Sequence, residues 1–305
     1  MRLLGLIIIL FFLQTNLYAN EFWKKDYSKV DSLALTITAT SNVDKLAFDL
    51  TNIYSTDLEK YRAIFTWIAS NIEYDCEALK KKSARVTDPE KIIKNKKAVC
   101  AGYSSLYSKL CELAKLECFT IYGWSKDRQD IGKQLSDKPN HAWNAIKIEG
   151  QWYLCDVTWG AGSTSEETGI FSFSFDDYYF CTPPKIFSYN HLPEKKRWLL
   201  GAKQTRNKFM QSPHYYPESI QLNTLDLKPS NGIIHYEKDK VVKFSFVIEG
   251  VINNISVSTP KAKYSTNIKF EIKNGKVEFD YVMNTFANYL FIYINYKGFV
   301  AYKIK

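Results

Sequence analysis

Apolar residues recur at helical spacing between residues 30 and 73. The pattern is clearest in the segment DLEKYRAIFTWIASNIEYD, in which four large apolar side chains fall three or four positions apart. Positions with this spacing lie on one face of an α-helix. We therefore predict an amphipathic helix that covers a hydrophobic core with the side chains of Tyr61, Ile64, Ile68 and Ile72.

A second helical segment and a strand follow a loop. The loop, KSARVTDPEKIIKNKKA, contains a short helix that begins at Asp88 and Pro89, because both residues favour a helix start. The next segment, VCAGYSSLYSKLCELAKLECFTIYGW, predicts a helix from about Cys100 to Leu116 and a strand from Cys118 to Trp124. The buried stripe of this helix consists of Tyr103, Leu106, Leu110 and Leu113.

Residues 140–160 read NHAWNAIKIEGQWYLCDVTWG and predict a β-hairpin around Glu149 and Gly150. A two-residue turn at these positions fixes the pairing of the strands. The paired residues are Ile148 with Gln151, Trp143 with Asp156 and His141 with Thr158. His141 and Asp156 then lie diagonally on the same face, near the separation at which a carboxylate can hold an imidazole. A loop one residue longer would put them on opposite faces.

The pattern changes after about residue 205, where alternation of apolar and polar residues replaces helical spacing. Segments such as KVVKFSFVIEG and NYLFIYINYKGFVAYKIK have the period of half-buried strands, and Asn274 and Gly275 are typical of a hairpin turn. We therefore predict an α+β domain over residues 20–205 and an all-β domain of sandwich type over residues 206–305.

The first residues form a pattern of their own. Arg2 precedes an unbroken apolar run from Leu3 to Leu13, and small and polar residues follow around Ala19. This arrangement is typical of a secretory signal peptide, and the run falls well short of the roughly 20 residues that span a bilayer. We expect residues 1–19 to be removed, which leaves a secreted or periplasmic bacterial protein that does not span a membrane.

Charge and composition narrow the class of partner. The formal net charge is +9, but the lysines are scattered in short groups, and no arginine-rich stripe with interleaved aromatic residues occurs in the sequence. Nucleic-acid binding is therefore not expected, and a solvated basic surface drawn to acidic cell-envelope material fits the pattern better. Apolar residues make up 46% of the chain, which is enough for a substantial core.

Cys100 is the most informative of the six cysteines, because it begins a predicted helix. The unpaired N–H groups and the dipole at a helix start favour an anion, so a thiol at this position ionises more readily. The same N–H groups can stabilise the oxyanion that forms when the sulfur attacks a carbonyl group. The alternative is a structural thiol or half of a disulfide. The cysteine spacings match no zinc site and leave the pairing open.

Cys100, His141 and Asp156 follow one another in the chain, 41 and 15 residues apart. The three residue types supply a thiolate nucleophile, an imidazole that takes and returns a proton, and a carboxylate that orients the imidazole. Of the four histidines, His141 is the one in a predicted strand with an acid placed in this way. The three residues are therefore predicted to form a catalytic triad. A core histidine and a turn-forming aspartate are the structural alternative.

Several ordered stretches resemble the transglutaminase-like superfamily, particularly its kyphoscoliosis-peptidase branch of papain-like cysteine proteins. They are YRAIFTWIASNIEYDCEAL, KKAVCAGYSSLYSKLCELAKLECFTIYGW, NHAWNAIKIEGQWYLCDVTWGAG and DDYYFCTPPKIFSYNHLPEKKRWLL, and together they cover roughly residues 45–200. The resemblance implies a papain-like core in which the helix bearing the cysteine packs on an antiparallel sheet. It also implies a cysteine, histidine and aspartate triad, which falls on Cys100, His141 and Asp156.

The resemblance further implies action on peptide or protein amide bonds through a thioester, as a protease, amidase or acyltransferase, without a cofactor. The alternative is a catalytically silent binding module at the cell envelope. No clustered acidic loop of calcium-binding type occurs in the sequence, so no metal is expected. Candidates for the second oxyanion donor are Trp67, Asn71 and Tyr74, and the residues leave the choice open.

Overall fold

The computed structural model describes most of the chain. The described residues are 22–23, 25–38, 42–81, 85–165, 168–260 and 262–305. The predicted signal peptide, residues 1–19, lies outside them. Within the described ranges, no helix is long and apolar enough to cross a membrane.

The chain divides into two compact units that alternate along the sequence. The first unit takes residues 1–123, 139–184 and 193–200, and the second takes residues 124–138, 185–192 and 201–305. The domain boundary between residues 205 and 206 stays a prediction.

The first unit contains helices and short strands. Its helices are α1 (Ser28–Thr36), α2 (Val43–Thr51), α3 (Asp57–Asn71), α4 (Cys76–Lys81), α5 (Pro89–Asn95), α6 (Cys100–Leu113) and α7 (Val157–Ala161). Strands between residues 73 and 193 are β1 (Glu73–Tyr74), β2 (Lys97–Ala98), β3 (Cys118–Ser125), β4 (His141–Ile148), β5 (Gln151–Cys155), β6 (Gly162–Thr164), β7 (Phe171–Phe173) and β8 (His191–Pro193).

Helix α3 lies at the centre of the first unit and contacts α1, α2, α6 and α7. Thr56 caps it, because its hydroxyl accepts the Glu59 N–H at 3.3 Å and donates to the Glu59 carboxylate at 2.6 Å. The four side chains predicted for its buried face are all fully buried. The predicted amphipathic helix is therefore confirmed, and its start has a local cause.

Arg62 on α3 is a buried charge with two acidic partners. Its Nε and Nη2 atoms donate to the two carboxylate oxygens of Asp31 at 2.7 Å each. Nη2 also lies 3.3 Å from Asp177 Oδ2, and the guanidinium lies 4.5 Å from the ring centre of Tyr27. These contacts join α1 and α3 to the 3-10 turn Asp177–Tyr179.

Helix α6 begins at Cys100, as predicted, but it ends at Leu113 rather than Leu116. The reason is Lys115, which adopts a left-handed conformation with φ of 60° and lets the Leu116 N–H donate to the Cys111 carbonyl oxygen at 2.9 Å. Near the start of α6, a Cβ atom on Gly102 would lie 2.7 Å from the Val86 carbonyl oxygen. Glycine therefore allows the preceding loop to approach the start of the helix.

Strands β3, β4 and β5 form an antiparallel sheet in which β4 is central. The predicted turn at Glu149 and Gly150 is present, with φ of 50° and 78°, and the ladder runs from the Ile148–Gln151 pair to the Asn144–Cys155 pair. Helix α6 packs on β4. The Glu194 N–H donates to the Tyr122 carbonyl oxygen of β3 at 3.0 Å.

The second unit is mostly β-structure. Short helices α8 (Pro184–Phe187), α9 (Arg206–Gln211) and α10 (Pro217–Gln221) lead into it. Its strands are β9 (His214–Tyr215), β10 (Leu225–Lys228), β11 (Ile233–Ile234), β12 (Val241–Val247), β13 (Ile255–Ser258), β14 (Thr266–Asn267), β15 (Glu271–Lys273), β16 (Lys276–Val282), β17 (Tyr289–Ile294) and β18 (Lys297–Ile304).

These strands form two sheets that enclose one core. One sheet has the order β10-β12-β16-β15, and the other has the order β11-β18-β17-β13-β14 with β9 beside β18. Phe244 of the first sheet lies 5.3 Å, centre to centre, from the Tyr302 ring of the second. Asn274 and Gly275 form the predicted tight hairpin, with φ of 52° and 75°. The predicted α+β core and all-β sandwich are thus confirmed.

Candidate active site

Cys100, the predicted nucleophile, is the buried first residue of α6. The first hydrogen bonds of the helix run from the N–H groups of Gly102 and Tyr103 to the Val99 carbonyl oxygen, at 2.8 and 3.1 Å. The N–H groups of Cys100 and Ala101 therefore precede the hydrogen-bonded turns. The positive end of the helix dipole lies at this point and favours a negative charge on the sulfur.

His141 is the first residue of β4 and pairs with Gly123 of β3. It is buried, with 7% of its surface exposed. The indole rings of Trp143 and Trp159 each lie 5.9 Å from the imidazole, centre to centre. Sheet pairing and aromatic packing therefore hold the ring in one orientation.

Asp156 is fully buried and accepts hydrogen bonds through both carboxylate oxygens. Oδ2 lies 2.6 Å from His141 Nε2. Oδ1 accepts the N–H groups of Thr158 and Trp159 at 3.0 and 3.1 Å, which makes Asp156 the N-cap of α7. The Asp156 N–H donates to the Tyr179 carbonyl oxygen at 2.9 Å. These hydrogen bonds therefore hold the carboxylate in place independently of its contact with the imidazole.

The contact between His141 and Asp156 was predicted from the sequence, but only part of the strand pairing behind that prediction is correct. The ladder of the hairpin has the predicted register as far as Cys155, but β5 ends there and Asp156 starts a helix. The predicted pairings of Trp143 with Asp156 and of His141 with Thr158 are therefore wrong, because Asp156 caps α7 and Thr158 lies in it. The aspartate side chain captures the next N–H groups and turns the chain out of the sheet.

The side chains of Cys100 and His141 are hydrogen-bond partners, and the Ala142 N–H also donates to the sulfur. Because Asp156 occupies Nε2 of His141, we assign the contact with Cys100 to Nδ1, the other ring nitrogen. The structure thus brings the three predicted residues together in one chain of contacts, from sulfur to imidazole to carboxylate.

Electrostatics favour charge separation between Cys100 and His141. Burial alone would raise the pKa of the Cys100 thiol, but the hydrogen bond and the positive charge of His141, together with the Ala142 N–H, outweigh it and lower this pKa below 9.0. Burial also opposes the imidazolium, but Asp156 and the contact with Cys100 outweigh it and raise the pKa of His141 from 6.5 to about 10. Both shifts favour a thiolate beside an imidazolium, compared with an isolated cysteine and an isolated histidine.

The three candidates for the second oxyanion donor differ in their surroundings. The Trp67 indole N–H donates to the Ile37 carbonyl oxygen at 2.9 Å, and the Asn71 amide donates to the Trp67 carbonyl oxygen at 2.9 Å. Burial raises the pKa of the Tyr74 hydroxyl, and the negative charge of a nearby Cys100 thiolate raises it further. Tyr74 therefore lies within electrostatic reach of the sulfur.

Sequence reasoning missed two backbone groups at the site. They are the Ala142 N–H at the sulfur and the Tyr179 carbonyl oxygen, which binds the Asp156 N–H. Backbone groups leave no trace in residue identity, so no signal could have found them. The N-cap role of Asp156 did have a signal, because an aspartate directly after a strand often starts a helix.

Comparison with known proteins assigns this arrangement to a class. Residues 44–157 match the model of the transglutaminase-like superfamily. The match includes Cys100, His141 and Asp156, and it agrees with a helix that bears the cysteine and packs on an antiparallel sheet. The chain therefore carries a transglutaminase-like domain.

The chain is 36% identical to kyphoscoliosis peptidase from Homo sapiens over 212 residues, which are 69% of this chain and 32% of the human protein. It is also 26% identical to Hillarin from Drosophila melanogaster over 57% of this chain and 23% of the fly protein. A solved structure of a TGase is 18% identical, with a TM-score of 0.31, and covers 47% of this chain and 35% of that one. The predicted resemblance to the kyphoscoliosis-peptidase branch is confirmed.

The chain spans about a third of the length of the kyphoscoliosis peptidases that it matches. The curated relatives come from animals, namely human, mouse, fly and nematode. The expectation of a secreted or periplasmic bacterial protein receives no support from them and stays a prediction, as does the expectation that no cofactor or metal takes part.

Proposed function

We propose that this protein is a secreted cysteine enzyme that acts on peptide or protein amide bonds through a thioester. Cys100 is the nucleophile, His141 transfers the proton, and Asp156 orients and stabilises the charged imidazole. The supporting observation is the continuous chain of contacts from the Cys100 sulfur through His141 to Asp156, whose Oδ2 lies 2.6 Å from His141 Nε2.

In the first half of the reaction, the Cys100 thiolate attacks the carbonyl carbon of the substrate amide. The N–H groups of Cys100 and Ala101 lie at the start of α6, ahead of its first hydrogen bonds, and are available for the oxyanion. The His141 imidazolium then gives its proton to the amide nitrogen, the carbon–nitrogen bond breaks, and an amine leaves. The acyl group remains on sulfur as a thioester, and His141 is neutral.

In the second half, neutral His141 takes a proton from a water molecule or an amine as it attacks the thioester. The carbon–sulfur bond breaks, and the thiolate and imidazolium form again. Water gives a carboxylic acid, which is hydrolysis, and an amine gives a new amide, which is acyl transfer. Asp156 keeps the proton on Nε2 throughout, so Nδ1 is the nitrogen that exchanges protons with the substrate.

A peptide substrate is proposed because two curated relatives are named as peptidases. Secretion is proposed from the apolar run Leu3 to Leu13 after Arg2. Detection of residues 1–19 at the N-terminus of the protein recovered from its native cells would contradict the secretion part alone.

The test uses an electrophilic peptide probe, such as a peptidyl epoxide, followed by mass spectrometry of the full-length protein. The expected result is one probe per molecule, attached to Cys100 and lost in Cys100→Ala. Cys76→Ala is the matched control, because Cys76 is a free and more exposed thiol, and this variant should label as the wild type does. Equal labelling of Cys100→Ala would refute the proposal.

A second assay separates the two outcomes of the thioester. Incubation with a protein substrate and a fluorescent primary amine tests acyl transfer, and new N-termini in the same sample test hydrolysis. Dependence of either product on Cys100 supports an enzyme. Alkylation of Cys100 as slow as that of the other reduced cysteines, with neither product formed, would instead support the silent binding module.

A further inference from the structure

Two buried cysteines outside the proposed triad lie opposite each other beside Asp156. Leu154 of β5 and Thr182 form an antiparallel bridge, and the Thr182 N–H donates to the Leu154 carbonyl oxygen at 3.2 Å. In an antiparallel pair, one step forward on one strand faces one step back on the other. The pair next to this bridge is therefore Cys155 and Cys181.

The side chains of the two cysteines are in contact. The Cys181 N–H donates to the Cys155 sulfur at 3.5 Å, and the two thiols are hydrogen-bond partners. Both residues are buried, with 1% and 0% of their surfaces exposed. The two sulfurs therefore face each other in a space closed to solvent.

The backbone at Cys181 departs from strand geometry. Cys181 has a left-handed conformation, with φ of 54°, and its N–H donates to the Cys155 sulfur at 3.5 Å. This contact, next to the Leu154–Thr182 bridge, sets the two cysteines side by side. A disulfide joins residues whose Cα atoms are roughly 4.4–6.8 Å apart, and neighbouring residues on paired segments lie in or near this range.

A second thiol pair serves as a comparison. Cys111 at the end of α6 and Cys118 at the start of β3 are also hydrogen-bond partners. However, the Cys118 sulfur already contacts Ser108 Oγ and Asn144 Nδ2, at 3.5 Å each. This pair bridges a helix and a strand rather than two facing strands, so nothing sets its sulfurs in the register of a cross-strand disulfide.

We propose that Cys155 and Cys181 form a disulfide when the protein folds under oxidising conditions. One thiolate attacks a small-molecule disulfide such as oxidised glutathione, which forms a mixed disulfide and releases one reduced glutathione. The second thiolate then displaces the other glutathione and closes the Cys155–Cys181 bond. The two cysteines lose two electrons and two protons in total, and two reduced glutathione molecules carry them away.

The bond would lie next to the carboxylate of the site. Asp156 follows Cys155, and its N–H is held by the Tyr179 carbonyl oxygen at 2.9 Å. A disulfide would fasten residues 179–182 to the end of β5 and so keep the backbone of Asp156 in place. It uses neither Cys100 nor His141, so the inference does not depend on the proposed activity.

The test is a peptide map under non-reducing conditions. The full-length protein is unfolded, refolded in a buffer of oxidised and reduced glutathione, and then denatured in excess iodoacetamide before digestion. The expected result is a peptide containing Cys155 linked to a peptide containing Cys181, with Cys100 alkylated. Alkylation of both residues, or their attachment to glutathione or to other cysteines such as Cys111, would overturn the proposal.

A thermal measurement makes the test independent of the map. Closing a loop of 26 residues should raise the melting temperature of the oxidised protein above that of the reduced protein by roughly 5–10 °C. Cys155→Ser should lose this difference, and the matched control Cys111→Ser should keep it. If Cys111→Ser loses the difference in melting temperature and Cys155→Ser keeps it, the disulfide joins Cys111 and Cys118 instead, and the proposal is refuted.

Discussion

Asp156→Asn tests the central contact of the site, because it removes a charge and keeps the shape of the side chain. The amide oxygen can still accept the N–H groups of Thr158 and Trp159, as Asp156 Oδ1 does now. The amide nitrogen, however, cannot accept a hydrogen bond from His141 Nε2, which lies 2.6 Å from Asp156 Oδ2. The variant should therefore move the proton of neutral His141 to Nδ1, beside Cys100.

The size of the effect follows from Coulomb's law. A carboxylate about 4 Å from an imidazolium stabilises it by about 4 kcal/mol at an effective dielectric constant of about 20, or about three powers of ten in proton binding. The pKa of His141, which is raised from 6.5 to about 10, agrees with this size. Without the carboxylate, the pKa of His141 should fall. The pKa of Cys100 should rise, because the support that charged His141 gives the thiolate is larger than the direct repulsion from Asp156 that the variant removes.

The sign of the pH dependence follows directly. In the wild type, the imidazolium that supports the thiolate persists until the pH rises through about 10, the pKa of His141. At pH 6, a thiol of pKa about 9 is ionised in roughly one molecule in a thousand. Because more basic thiolates also react faster, we expect the alkylation rate of Cys100 in Asp156→Asn to fall by about tenfold to a hundredfold at pH 6.

The assay is the rate of iodoacetamide attachment to Cys100 between pH 5 and 10, measured by mass spectrometry of the Cys100 peptide. The wild-type rate should rise at a lower pH than the variant rate, because the pKa of Cys100 is lowered in the wild type, and the variant rate should rise steeply through the range of an ordinary thiol. Asp44→Asn, which changes an acid in the first turn of α2, is the matched control. Coincident pH profiles for Asp156→Asn and the wild type would refute the coupling of the three residues.

Three further substitutions test the support of the site. Arg62→Ala should lower the free energy of unfolding of the first unit by about 3–5 kcal/mol in a denaturant titration, because it leaves Asp31 without its buried partner. The control Lys45→Ala, which breaks an exposed ion pair, should cost less than about 1 kcal/mol. Equal losses in the two variants would contradict the importance of the buried pair. Gly102→Ala should cost about 1–3 kcal/mol, because its Cβ would meet Val86 at 2.7 Å and Ala98 at 2.8 Å, and Gly298→Ala, whose nearest neighbours lie at 3.3 Å or more, should cost less. If the Tyr74 hydroxyl binds the oxyanion, Tyr74→Phe should lower kcat on a cleaved peptide by about a hundredfold and leave the alkylation rate of Cys100 unchanged. The control Tyr122→Phe, at an exposed position, should leave kcat unchanged. An unchanged kcat in Tyr74→Phe would exclude this role of the hydroxyl.

Short-range features of the fold could be predicted from the sequence because they depend on neighbouring residues. The buried face of α3 follows from the spacing of Tyr61, Ile64 and Ile68, and the start of α6 at Cys100 was predicted correctly. The register of the β4–β5 hairpin follows from its two-residue turn. The end of α6 was misplaced by three residues, because Lys115 adopts a left-handed conformation, with φ of 60°, that its residue type does not indicate.

The sequence by itself determined the identity and order of Cys100, His141 and Asp156, the helix that begins at the first and the hairpin that brings the other two close. Only the tertiary structure decided that Cys100 meets the imidazole and that Cys155 faces Cys181. Periodicity and turn chemistry act over a few residues, whereas these two contacts join residues 41 and 26 positions apart. Their geometry therefore depends on how α6 packs on β4 and on backbone groups that residue identity does not encode.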